Sequence, residues 1–88
     1  MEERLGFIGI VMQDRAAAAS VNQIVGSYAH IIRGRMGIPD QESGEAVIGL
    51  IVKGSNDDLG ALTGKLGNLS GVQVKSALTS PKKEEKKG

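Results

Sequence analysis

The residues able to do chemistry in this chain are few, and their spacing assembles no catalytic set. His30 is the single histidine, and there is no cysteine. A zinc or nickel site needs several such ligands, so these residue types build none. One histidine without a recognisable partner gives no base for Ser20, Ser27 or Ser43. Asp57 and Asp58 are the right type for a hard metal, yet they fall where a helix begins and suit its dipole better. Gly60-Ala61-Leu62-Thr63-Gly64-Lys65-Leu66 is close to a phosphate loop. It is one residue short, has Leu66 where a magnesium-binding Ser or Thr belongs, and lies inside a helical pattern rather than after a strand. Arg33 and Arg35 read as same-face neighbours on a strand. They read first as a solvated polar strip that guards a sheet edge, and also suit a carboxylate or phosphate. The expectation is a protein that is not an enzyme and uses no cofactor or metal.

Composition bounds the rest. Eighty-eight residues make one domain, near the lower limit for a single hydrophobic core. Phe7 and Tyr28 are the only aromatics, so that core is aliphatic. The last seven residues carry four Lys against two Glu, while residues 1–81 hold 7 basic and 8 acidic side chains. A near-neutral body of this kind does not present a nucleic-acid surface. The longest apolar runs are too short to span a bilayer. The acidic opening Met1-Glu2-Glu3-Arg4 does not read as an export signal. With no cysteine, the expected location is the cytoplasm.

The elements that must position these residues follow from periodicity. Arg4–Met12 reads as a strand, with Leu5, Phe7 and Val11 on one face and Ile8, Ile10 and Met12 on the other. Asp14 is placed to cap a helix from Arg15 to about Ala29, whose apolar side is Ala17, Val21, Ile24, Val25 and Tyr28. Ile31–Ile38 and Glu45–Lys53 read as strands around a turn at Pro39–Gly44. Ser55 or Asn56 caps a second helix, Asp57–Leu69, with Leu59, Leu62, Leu66 and Leu69 as its core stripe. Gly71 fits a left-handed stop for that helix, and Val72–Leu78 alternates as a fourth strand. Residues 80–88 are charged, lack apolar side chains and are expected to be a disordered tail to a domain of residues 1–79.

The order β-α-β-β-α-β with right-handed crossovers predicts an α+β ferredoxin-like sandwich, a four-stranded antiparallel sheet with both helices on one face. Strands one and three, apolar on both faces, belong in the middle. The face without helices then shows aliphatic side chains to water, which is uncommon on a monomer. Covering it predicts a homo-oligomer, dimer or tetramer, through the sheet face or an edge strand. Ile8 and Ile10 are the expected contacts there. Gly60, Gly64 and Gly67 line up on the second helix away from its leucines. They read either as a surface for close approach, and so a further interface, or as a weak, frayed helix.

Three stretches resemble the iron-only hydrogenase system regulators, small bacterial proteins with an ACT-like ferredoxin fold. They are Val21-Asn22, Arg35-Met36-Gly37-Ile38-Pro39, and Asn56 to Gly67 leading into Ser70-Gly71-Val72. The likeness runs over roughly Arg4–Leu78. It implies a regulatory role tied to iron-only hydrogenase, including regulation of transcription, without a defined activity. ACT-like domains pair and bind small effectors, often amino acids, near the first strand-to-helix turn. Here that turn is Gln13-Asp14-Arg15-Ala16-Ala17, similar to an Asp-Arg-Pro-Gly pattern with Ala16 and Ala17 in place of the Pro and Gly. The resemblance thus implies Asp14, Arg15, Arg35 and Gly37 as effector contacts; a protein partner without an effector is the alternative. The layout is also similar to the C-terminal half of nickel-responsive repressors. Met36, Ile38 and Gly44 stand in the region of their His and Cys ligands, so the nickel site does not carry over, and no DNA-binding half is expected in this chain.

Overall fold

The computed structural model describes residues 2–80. The expected tail therefore lies, apart from Ser80, outside the described residues. Strand β1 is Arg4–Met12, β2 Ile32–Pro39, β3 Ala46–Gly54 and β4 Val72–Leu78; helix α1 is Ala18–Ser27 and α2 Asn56–Gly67. The sheet order is β2-β3-β1-β4, with every neighbouring pair antiparallel. The two β-α-β halves thus interlock as a ferredoxin-like sandwich, and the doubly apolar strands β1 and β3 occupy the centre.

Local chemistry sets the ends of the elements. Ser55 caps α2: its Oγ accepts from the Asp58 amide at 3.1 Å, and Asp57 and Asp58 fill the first turn, where negative charge meets free backbone donors. α1 is shorter than its pattern. Asp14 caps a 3-10 turn at Arg15–Ala17, and the α-helix begins only at Ala18. A second 3-10 turn, Ala29–Ile31, leads into β2.

The core is one aliphatic cluster. Ile8, Ile10 and Met12 of β1 meet Ile48, Leu50 and Val52 of β3 beneath Val21 and Val25 of α1 and Leu59, Leu62 and Leu66 of α2. No described polar side chain is buried. Burying each of these side chains contributes about 1.5–3 kcal/mol, which is why alternate residues of the central strands point inward. The structure corrects one expectation here. Ile8 and Ile10 are 0% exposed. They face the helices, so they are core and not interface residues.

Candidate functional site

The first turn is built against the strand that enters the sheet last. The Gln13 amide donates to the Gly71 carbonyl at 2.7 Å. Asp14 Oδ1 then accepts from the Ala16 amide at 3.0 Å, and the Ala17 amide donates to the Asp14 carbonyl at 3.0 Å. Gly71 has φ +77°, and a Cβ added to it would stand 2.9 Å from the Asp14 Cβ. The left-handed glycine expected as a helix stop is instead the floor on which the Asp14 turn rests. α2 ends earlier, at Gly67 with Asn68 as its cap. Arg15 projects from this turn as an exposed residue.

Arg35 and Gly37 lie on the edge strand β2. A bulge between Ile32 and Gly34 shifts the register, after which Arg35 pairs with Leu50 and Gly37 with Ile48. The bulge turns Ile32 to the helix side, opposite Met36 and Ile38, with which simple alternation groups it. From its position on the helix side, the Arg35 Nη2 donates to Asn22 Oδ1 of α1 at 2.6 Å. A guanidinium has five N–H donors, so capacity for a carboxylate or phosphate remains.

Asp14 and Arg15 do not meet Arg35 and Gly37. Met12, Ala46 and Pro39 form one row across the sheet. Gly37 is level with Ile10 and Arg35 with Ile8, so both stand back from the first turn along the sheet as well as across β3, whose width alone separates them by about 10 Å at the strand spacing. The four residues form two separate pairs, Asp14 and Arg15 on the first turn and Arg35 and Gly37 on β2. Asn22, which joins this set through Arg35, lies 13 positions before it, and only the fold brings the two together.

The opposite face of the sheet is open and apolar. Register places Leu5, Phe7, Gly9 and Val11 of β1 beside Val47, Gly49, Ile51 and Lys53 of β3, with Gly34, Met36 and Ile38 of β2 on one flank and Gln73, Lys75 and Ala77 of β4 on the other. Leu5, Phe7, Met36, Ile38, Val47 and Ile51 are all exposed. Gly9 pairs with Gly49, and the Phe7 ring lies over the pair. Cβ atoms added there would meet ring carbons at 3.1 and 2.9 Å respectively. The ring thereby covers backbone that two glycines leave bare. Beside it is a hollow of about 470 Å3, lined by Gly34, Met36, Ile38, Val47, Gly49 and Ile51 together with Phe7 and Arg35.

The remaining singled-out residues serve the fold or the surface. Gly60 to Leu66 lies within α2, as its pattern required. The Lys65 Nζ sits 5.2 Å above the Tyr28 ring, a cation–π contact. His30 is exposed on the surface, with its Nε2 3.6 Å from Asp58 Oδ2. Gly60, Gly64 and Gly67 are exposed, with nothing within 4 Å of an added Cβ. Among the described residues no group of three or more His, Cys, Asp or Glu could hold a metal ion. No helix there is long and apolar enough to cross a membrane.

Residues 4–76 match the TM1266-like family, whose description provisionally assigns it as an iron-only hydrogenase system regulator. The chain belongs to that family. The uncharacterized protein TM1266 from Thermotoga maritima is 38% identical, with a TM-score of 0.85 over 90% of this chain and 100% of that one. The ACT domain of GTP pyrophosphokinase from Chlorobium tepidum is 27% identical, with a TM-score of 0.63 over 88% and 89% of the two chains. A PII-like signalling protein from Thermus thermophilus shares the fold at 14% identity, with a TM-score of 0.57 over 90% of this chain and 92% of that one. No curated protein matches. Two of the stretches that carry the family likeness, Val21-Asn22 and Arg35 to Pro39, are the two that the Asn22–Arg35 bond ties together.

Proposed function

We propose that this protein is a non-catalytic regulatory module of the iron-only hydrogenase system that works as an oligomer and responds to a small effector. The observation that carries the reading is the open face: a broad apolar surface whose ionisable side chains are two lysines, Lys53 and Lys75, at its margin. Such a surface is suited to assembly and not to catalysis. The proposed effector seat is at Arg35 and Gly37 on β2, with Asp14 and Arg15 on the first turn as separate candidate contacts. Arg35, held by Asn22, offers a charge-assisted contact to a carboxylate or phosphate, so an amino acid or a nucleotide is the expected class. An effector that prefers one arrangement of the oligomer shifts its population, and that difference in affinity is the signal.

Control of transcription, on this reading, runs through a partner protein, because the near-neutral body offers no cluster of basic side chains to DNA. The glycine face of α2, Gly60, Gly64 and Gly67, is proposed as a second contact surface. The test is a thermal-shift screen of amino acids and nucleotides against the wild type and Arg35→Ala. A stabilising ligand whose effect disappears in Arg35→Ala supports the seat. Silence across the panel overturns it. A stable partner that co-purifies through the open face without any effector would favour a pure protein-interaction module, the reading that this apolar surface also supports.

A further inference from the structure

We propose that a second copy of this chain covers the open face, seated off-centre over β2, β3 and β1 with β4 left at the rim. This deepens the oligomeric reading above and rests on it. Six large apolar side chains there are between 46% and 68% exposed. With about 150–250 Å2 of surface per large side chain, that is roughly 600 Å2 per copy, the upper end of the largest patch on a typical monomer. Two copies would bury roughly 1,200 Å2, the threshold of a stable specific interface.

The patch is asymmetric. On β2, β3 and β1 the open face is apolar apart from Lys53 at one end, while β4 contributes Gln73 and Lys75. There is no acidic residue among these open-face positions, so no opposite charge awaits a basic partner. The two lysines stay hydrated only if they remain at the margin. The surface also carries both halves of a self-complementary fit. Met36 at 68% and Ile38 at 63% exposure stand out from the edge strand and flank the hollow that Gly34, Val47 and Ile51 also line. A copy related by a two-fold axis can set its Met36, an unbranched and adaptable side chain, into that hollow while receiving the same contact in return. A small ligand finds no comparable fit, because the patch lacks the convergent polar groups that orient one.

The experiment is light scattering coupled to gel filtration on five proteins: the wild type, Met36→Glu with Ile38→Glu, Lys75→Glu, and the single-cysteine variants Met36→Cys and Lys75→Cys of this cysteine-free chain. The wild type and Lys75→Glu should run at twice the mass of one chain. The double variant should run as a single chain, its dissociation constant raised at least a hundredfold, with its melting transition retained. Met36→Cys should join two chains with a short bifunctional thiol reagent, and Lys75→Cys should not; this readout holds even if the double variant fails to fold. An assembled wild type that survives the double substitution and fails to cross-link through Met36→Cys overturns the seam but leaves the oligomeric reading standing. A single-chain wild type at high concentration overturns both. A different protein captured on the face in place of a second copy overturns the self-association.

Discussion

Gly71→Ala probes how the first turn is held. Gly71 has φ +77°, a conformation that costs an L-residue about 1–2 kcal/mol. The added methyl also meets the Asp14 Cβ at 2.9 Å. That contact joins backbone-anchored atoms on both sides, so it is relieved only by moving the turn. Together the two effects amount to about 2–4 kcal/mol. In a domain of this size each kcal/mol lowers the melting temperature by about 4–8 °C, so the variant should melt roughly 8–32 °C lower. Gly44 is the matched control: it has φ +79° and nothing within 4 Å of an added Cβ. Gly44→Ala bears the backbone cost alone. The excess loss in Gly71→Ala measures the Asp14 contact, and combining it with Asp14→Gly should give a non-additive cycle. Equal melting temperatures for Gly71→Ala and Gly44→Ala, with an additive cycle, would refute the claim that Gly71 supports the turn.

Other substitutions test the frame around the site. Ser55→Ala removes the α2 cap and should cost about 1 kcal/mol in a urea titration. Leu62→Ala opens the centre of the core, where Leu62 is fully buried, and should cost about 2–5 kcal/mol in the same titration. In the β2–β3 turn, hydrogen bonds from Ser43 hold the Asp40 carboxyl below its ordinary value of 3.8. A lowered native pKa stabilises the fold above that ordinary value, and the contribution fades as the pH falls through the native pKa. Asp40→Asn should therefore flatten the acid limb of a stability-versus-pH curve and leave the curve's shape near neutrality unchanged.

Much of this architecture was legible in the sequence. The bounds of β1 and β4 follow from alternation alone, and the central place of β1 and β3 follows from their being apolar on both faces. Which face of β1 is buried was not legible, because Leu5, Phe7 and Val11 are as apolar as Ile8, Ile10 and Met12. Pairing decides it. Register sets Val11 against Gln73, Gly9 against Lys75 and Leu5 against Lys53, and those polar neighbours mark the outer face. The glycines of β1 and β3 were the available signal, since a bare pair on one face calls for a ring to cover it, and Phe7 is the only phenylalanine. The bulge in β2 left no mark in the alternation and separated Ile32 from the face of Met36 and Ile38. The partner of Arg35, Asn22, depends on how α1 crosses the sheet, which is a property of packing and not of spacing. The single-turn delay of α1 reflects its alanines, which favour helix without marking where it starts.

The central claim is that this chain is incomplete as a monomer. Sedimentation equilibrium of the purified wild type, followed from low to high protein concentration, measures this most directly. The account predicts a mass of at least two 9.2 kDa chains that falls towards one only on dilution. A constant single-chain mass across the whole range would contradict it.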